Sequence, residues 1–284
     1  MRLLILGGSG MLGHQLWRGL HERHEVWVTL RRPFTDFAQH QLFDPARSIQ
    51  VDDITDDAAL GQALGQAQPE AVINCVGLIK QHNQASDKAL MRRINAEFPH
   101  RLAKQCAALG ARLIHFSTDC VFAGTKGNYT EADPADATDL YGQTKRAGEV
   151  TEPHCVTIRS SVIGHEIDSR LALVGWFLSQ QRRTIRGFTR AIYSGLTTLE
   201  MARVVERILI DHPTLSGLWQ VASEPISKFD LLKLCQAKLS WEGTIEPDDS
   251  FVCDRSLDGA RFNQETSYRP PSWEAMITEL AEAT

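Results

Sequence analysis

The sequence has little that would take it into a membrane, onto nucleic acid or into an oxidising compartment. No run approaches the roughly 18 consecutive apolar residues that a membrane span needs, and Met1-Arg2-Leu3-Leu4-Ile5-Leu6 reaches Gly7 too soon for the apolar core of a signal peptide. A cytoplasmic location is expected. Positive charge is not in excess: 30 Lys and Arg stand against 35 Asp and Glu, a net charge of −5. No broad basic face for a phosphate backbone is expected, so small molecules are the expected partners and nucleic acid is not. The six cysteines (Cys75, Cys106, Cys120, Cys155, Cys235 and Cys253) contain no CxxC pair and no zinc-ligand spacing. Reduced thiols are expected, acting as small buried hydrophobes, with no metal site. Repeats, low-complexity tracts and Gly/Ser-rich linkers are also missing.

What is present is enough apolar material for a full core, 43% of 284 residues, arranged as β-rich runs alternating with helix-period segments. Strands are predicted at 2–6, 25–30, 70–76, 111–117 and 154–159, and helices at 11–22, 56–66, 87–109 and 139–151. Helices of this length between apolar strands provide the crossovers that parallel strands require. The expectation is an α/β fold, a Rossmann-like doubly wound parallel sheet over residues 1–160. Residues 161–284 read as a smaller C-terminal α/β lobe, with helices near 170–181, 197–211, 227–239 and 272–283 and strand-like pieces at 184–188 and 217–221. The two parts are expected to share a cleft.

Gly7-Gly8-Ser9-Gly10-Met11-Leu12-Gly13 follows the first apolar strand directly and opens a helix with Leu12, Leu16 and Leu20 on one face. Glycines at 7, 10 and 13 give a tight turn, let backbone N–H groups approach a pyrophosphate and set it at a positive helix end. A glycine pattern alone is weak, but a strand before and a helix after make dinucleotide binding the stronger reading. The second strand ends in Arg31 and Arg32, where a site for NAD usually offers a carboxylate, so NADPH is favoured over NADH; otherwise the two arginines are solvated loop charges. Asp53, followed by Ile54, is placed to accept from an adenine amino group or is a helix-start acid.

Tyr141-Gly142-Gln143-Thr144-Lys145 puts phenol and ammonium on one helix face. A lysine cation near a tyrosine is expected to lower the phenol's pKa and fit it to deliver a proton to a ketone oxygen. Ser117-Thr118 lies at the end of the strand at 111–117, at a sheet edge where ligands bind, and a Thr118 hydroxyl there can stabilise a developing alkoxide. Asn95 shares a helix face with Phe98 and Leu102; its buried amide is either a helix-to-sheet bond or part of a proton path.

These residues, together with Val72-Ile73-Asn74, Ile94-Asn95-Ala96-Glu97, Ser117-Thr118-Asp119-Cys120-Val121-Phe122, Gly124-Thr125-Lys126-Gly127, Tyr129-Thr130-Glu131 and Pro271-Ser272-Trp273, resemble the extended short-chain dehydrogenase/reductases, specifically the dTDP-4-dehydrorhamnose reductase group, over nearly the whole chain. The resemblance implies NADPH-dependent reduction of the 4-keto group of a nucleoside-diphosphate 6-deoxysugar, supplying an activated sugar for surface polysaccharide or a natural product. It implies a catalytic set of Thr118, Tyr141 and Lys145. It also implies a cofactor site of Gly7, Gly10, Met11, Leu12, Gly13, Arg31, Arg32, Asp53, Ile54, Cys75, Val76, Gly77, Asn95 and Ser117, joined by Tyr141 and Lys145. A homodimer is compatible with it.

Departures from the family pattern open alternatives for the substrate. Cys120 stands where a Tyr is usual, and Cys75-Val76-Gly77-Leu78-Ile79-Lys80-Gln81-His82 replaces a small-residue stretch and loop. Lys80 and His82 are either contacts to an N-acetyl or phosphate group or plain surface residues. Arg190 and Arg255 are either ligand clamps or interlobe salt bridges. The resemblance of Cys120 to the cysteine of GDP-fucose synthases raises a combined epimerase and reductase, or a reductase of UDP-2-acetamido-2,6-dideoxyhexos-4-uloses, and would need an activated thiol paired with a base such as His165. A third alternative is a non-catalytic NADP-binding subunit, as in the regulatory subunit of methionine adenosyltransferase. An Asp-Cys pair after Thr118, where sugar dehydratases carry Asp-Glu, argues against dehydration.

Overall fold

Leu3, Leu4, Ile5 and Leu6 are all fully buried, and they alternate between two cores: Leu3 and Ile5 join one cluster, Leu4 and Leu6 the other. A strand buried on both faces must be apolar at every position, which is why this segment reads as a continuous run. In the computed structural model, which describes residues 1–80 and 86–283, the elements follow in chain order as β1 (Arg2–Leu6), α1 (Met11–Leu20), β2 (Glu25–Leu30), β3 (Ser48–Gln50), α2 (Asp57–Ala67), β4 (Ala71–Asn74), α3 (Lys88–Arg92), a π-helical turn (Arg93–Glu97), α4 (Phe98–Leu109), β5 (Arg112–Phe116), α5 (Leu140–Ala147) and β6 (Cys155–Arg159). Beyond them come β7 (Val162–Ile163), α6 (Leu173–Ser179), β8 (Thr184–Phe188), β9 (Ala191–Tyr193), β10 (Leu196–Thr197), α7 (Thr198–Ile210), β11 (Gly217–Gln220), β12 (Ile226–Ser227), α8 (Lys228–Lys238), β13 (Thr244–Asp248), β14 (Cys253–Asp254), α9 (Ala260–Thr266) and α10 (Trp273–Glu282).

Seven strands form one sheet in the order β11-β6-β5-β4-β1-β2-β3, every pairing parallel. On one face α1 and α7 contribute Leu16, Leu20, Met201, Val204 and Ile208; on the other α2 and α4 contribute Leu60, Leu64, Phe98 and Leu102. The expected doubly wound α/β fold is therefore present. Each fully buried Leu or Phe contributes about 1.5–3 kcal/mol of transfer free energy, so both helical layers are held by the strand alternation itself. Strand order reverses between β1 and β4, and that crevice at the strands' carboxyl ends is where such sheets bind ligands.

The lobe after residue 160 carries three small sheets, β10-β7, β12-β9-β14 and β13-β8. The division expected at residue 160 does not separate the strands cleanly: α7 packs on α1, with Gly19 so close that an added Cβ would lie 3.0 Å from Ala202 Cβ, and β11 completes the large sheet against β6.

Candidate active site

β1 delivers Gly7 at φ +78°, a left-handed conformation that an L side chain resists. Gly7 N donates to Thr29 Oγ1 (3.0 Å) and Gly8 N to Thr29 O (2.9 Å), which moors the loop to the end of β2. A Cβ on Gly13 would sit 2.2 Å from Gly7 O, so the first turn of α1 lies directly on the loop. Gly10 caps α1 without a side-chain bond, and the first-turn N–H groups of Met11, Leu12 and Gly13 have no intrahelical acceptor. Such a cradle of backbone donors at a helix N-terminus, with no room for side chains, fits a dinucleotide pyrophosphate. From the other side of the reversal point comes the segment after β4: Cys75 C and O lie 3.4 Å from where a Gly7 Cβ would be, and Val76 follows it closely.

Asn95 lies in the π-helical turn and spends its amide on that same segment. Leu78 N donates to Asn95 Oδ1 (2.8 Å), while Asn95 Nδ2 donates to Leu78 O (2.9 Å) and weakly to Thr144 Oγ1 (3.5 Å). These bonds tie the π-helical turn to the segment after β4 and to α5. It fixes the strand end that carries Gly77, which comes within 3.7 Å of Asn95 Oδ1 when given a Cβ.

At the far edge of the expected cofactor site, Asp53 is exposed and bonded to its neighbours. Its Oδ1 accepts from Thr55 Oγ1 (2.6 Å) and Thr55 N (2.9 Å), and Oδ2 accepts from Arg93 (3.1 Å); the Thr55 hydroxyl above all holds its carboxyl below the usual range. Ile54 packs against the core beneath. Arg32 pairs with Asp168 of the second lobe and lies 4.7 Å from the centre of the Phe37 ring; Arg31 is exposed and makes no ion pair among the described residues.

β5 ends at Phe116, and Ser117, Thr118 and Asp119 follow it, all three buried. Thr118 caps a short 3-10 turn at Asp119–Val121: Cys120 N donates to Thr118 Oγ1 (3.1 Å), whose hydroxyl donates to Asp119 Oδ1 (3.1 Å). α5 lies across this corner. Asp139 caps it by accepting from Gly142 N (3.0 Å), and Gly142 is required because a Cβ there would fall 2.2 Å from Cys120 O. Tyr141 thereby stands against Thr118 and Cys120, and Lys145 Nζ donates to Phe116 O (2.6 Å).

Burial governs both ionisable groups. It pushes the Tyr141 phenol up, with the Cys120 thiol adding to this and the Thr118 hydroxyl opposing it. It pulls the Lys145 ammonium down to about 8, against the pull of Glu149. The lowered phenol expected from a neighbouring lysine is not found: desolvation is the largest influence on Tyr141, while Lys145 Nζ donates to the Phe116 carbonyl. Burial also pushes the Cys120 thiol up to about 12, with Asp119 adding to it. Arg255 Nη1 lies 3.5 Å from its sulfur and the Thr118 hydroxyl is bonded to it, while His165 Nε2 lies 3.2 Å from Leu280 O. A thiol shifted in this direction is not an activated one.

Two of the expected substrate contacts meet over Tyr141. Lys80 Nζ donates to Asp139 Oδ2 (2.9 Å) and lies 5.5 Å from the Tyr141 ring centre; Arg255 donates to Phe122 O (2.8 Å) and approaches the same Asp139 oxygen at 4.0 Å. Arg190 is exposed at the turn between β8 and β9, where its carbonyl accepts from Cys253 N (3.1 Å). His82 lies outside the described residues. Sequence reading passed over Asp139, Glu149 and Arg159, although the spacing Tyr141, Lys145, Glu149 continues one helix face and was there to be used. Among the described residues no cluster of His, Cys, Asp and Glu could hold a metal ion, and no helix is long and apolar enough to cross a membrane.

Residues 1–186 match the family described as RmlD substrate binding domain. A dTDP-4-dehydrorhamnose reductase of Streptomyces griseus is 37% identical over 149 residues, 52% of this chain and 43% of that protein. Methionine adenosyltransferase 2 subunit beta of Rattus norvegicus is 31% identical over 150 residues, 52% of this chain and 41% of that protein. The chain thus matches less than half the length of these curated relatives. Among solved structures, a dTDP-4-dehydrorhamnose reductase of Bacillus anthracis in complex with NADP superposes with a TM-score of 0.81 at 20% identity, over 100% of this chain and 99% of that one.

Proposed function

The chain belongs to the RmlD substrate binding domain family, and from that premise we propose that it is an NADPH-dependent reductase of the 4-keto group of a nucleoside-diphosphate 6-deoxysugar. The observation that carries the reading is the convergence of Thr118, Tyr141 and Lys145 on the carboxyl edge of β5, one strand beyond the crevice where the Gly7–Gly13 cradle opens. The reductase name of a 37% identical relative supports it.

A reduced nicotinamide supplies hydride. This chain's residues do the rest: the backbone donors of Met11, Leu12 and Gly13 hold the pyrophosphate, and Arg31 and Arg32 receive a 2′-phosphate. The Thr118 hydroxyl and the Tyr141 phenol meet the ketone oxygen. Tyr141 delivers its proton there as charge develops, a task suited to a phenol that burial keeps protonated at neutral pH. Lys145 carries positive charge beneath the site to offset the phenolate left behind.

The test is oxidation of NADPH by the purified protein with dTDP- and UDP-linked 4-keto-6-deoxysugars, each product identified by NMR in D₂O. Turnover with no deuterium beside the former carbonyl is expected, since Cys120 is held as the thiol. Deuterium there would make the enzyme an epimerase as well. Tight NADPH binding with no turnover of any sugar would overturn the reading in favour of a binding subunit, the role carried in its name by the relative from Rattus norvegicus.

A further inference from the structure

α5 and the residue just past its C-cap grip two consecutive residues at the end of β5. Lys145 Nζ donates to the carbonyl of Phe116 (2.6 Å), and one turn on, Glu149 Oε1 accepts from the hydroxyl of Ser117 (2.7 Å). Glu149 is in turn clamped by Arg159, the last residue of β6, through Nε to Oε1 (2.7 Å) and Nη2 to Oε2 (2.8 Å). The pair is sealed from solvent, with side chains 6% and 9% exposed, and the guanidinium rests 5.2 Å from the centre of the Phe122 ring. β6 also ties down the same corner through its backbone, Ser117 N donating to Ile158 O (2.7 Å).

Geometry fixes where Glu149 points. A Cβ on Gly148 would lie 1.9 Å from Asn95 O, so the end of α5 is pressed against the π-helical turn and Glu149 can only turn toward β5 and β6. A buried ion pair of this kind is a poor source of stability, because desolvation cancels most of the attraction and a well-packed apolar pair does as well or better. Its effect on its neighbours is larger. Lys145 is faced by Cys75 just past β4, by His115 from β5 and by Glu149 just past the end of α5, with Arg159 behind Glu149. Burial holds the Cys75 thiol and the His115 ring in their neutral forms, and it does the same for Tyr141. Glu149 is the carboxylate in this set.

We propose that Glu149, clamped by Arg159, is a positioning residue for the reaction: it holds the Ser117-Thr118 corner in register with Lys145 and supplies the buried negative charge that keeps this lysine an ammonium. The inference rests on the reductase reading, in which Lys145 and Thr118 serve the reduction. Without Glu149 the ammonium would lose its proton within the neutral range, since desolvation already brings it down to about 8.

The full-length chain with ¹³Cε-labelled lysine, its Lys145 signal assigned by loss in Lys145→Met, tests this by NMR titration alongside the pH dependence of kcat. Glu149→Gln keeps an acceptor of the same shape for Ser117 and removes the charge together with one of the two bonds from Arg159. The Lys145 titration and the alkaline limb of kcat are both expected to move toward lower pH by about tenfold in proton concentration, the size of shift a nearby opposite charge produces. Glu149→Gln/Arg159→Met removes both charges and so avoids an unpaired buried cation; a smaller displacement in the same direction is expected. A Lys145 titration unchanged in both variants overturns the proposal. A displaced titration in a protein that turns over no keto sugar would leave the Glu149 assignment standing and remove the reductase reading instead.

Discussion

At the scale of single residues, Tyr141 and Lys145 are both pressed toward their neutral forms, the phenol upward and the ammonium down to about 8. Tyr141→Phe keeps the ring in place and removes the proton, so kcat should fall by about 10²-fold or more while NADPH affinity, read by fluorescence titration, stays unchanged. Unaltered turnover would take the general-acid role from Tyr141. Lys145 has a stability signature of its own. The unfolded chain keeps this proton up to about 10.5 and the folded chain only up to about 8, so between those values the unfolded state binds more protons and stability rises with pH. Below pH 8 the buried ammonium is a burden on the fold. Lys145→Met should therefore stabilise the protein by roughly 1–3 kcal/mol at pH 7, and the gain should shrink as pH approaches 10.5. Urea unfolding of both proteins across that range measures it, and a gain that grows with pH would contradict the assignment. The site was legible in sequence where a spacing carries chemistry, as in Tyr141 and Lys145 four apart. Charge partners from distant segments, such as Asp168 to Arg32 or Arg159 to Glu149, have no local signature, and neither does desolvation, which decides the direction of both pKa shifts.

At the scale of elements, the period-2 and period-3.6 signals placed β1 and β2 at their observed bounds and most long helices within a few residues. Strands of two or three residues, β3, β7, β9, β10, β12 and β14, are too short to show a period, and they were not predicted; neither was β13. The single helix expected at 87–109 is interrupted by the π-helical turn that carries Asn95, because an extra residue in one turn leaves the apolar pattern on either side intact. Close contacts between elements give the sharpest element-scale prediction. Gly13 lets α1 lie against the loop, and Gly13→Ala would bring a methyl to 2.2 Å from Gly7 O. Separating the two should cost about 1–3 kcal/mol of stability and weaken NADPH at least about tenfold, since the phosphate-facing donors move with the helix. Urea unfolding of the variant checks the first half and calorimetric titration the second, and wild-type affinity would show that the loop is not the pyrophosphate site.

At the scale of the molecule, Asp168 reaches back from the second lobe to Arg32 and His40 of the first. Arg32 is already engaged, while Arg31 is exposed. Removing either arginine should weaken NADPH more than NADH, by about tenfold for Arg31→Ala, and less for Arg32→Ala because binding there must first displace Asp168. Equal losses for both cofactors would end the 2′-phosphate assignment. The whole-chain architecture was legible as a doubly wound sheet, but the return of the chain into that sheet was not, because the predicted strand near 217–221 carries no mark of which sheet it joins.

That return governs how the protein can be made. A nascent chain emerging to residue 160 presents β6 as an open, parallel edge with unpaired backbone donors and acceptors, and the strand that covers it is not synthesised until Gly217–Gln220. Through that interval β6 is a template for wrong partners, including the same strand of a neighbouring nascent chain. A fragment ending at residue 186 would carry the glycine cradle and the tyrosine-lysine pair with this edge left permanently open. Synthesis past β11 is what pairs this edge in the half that carries the glycine cradle.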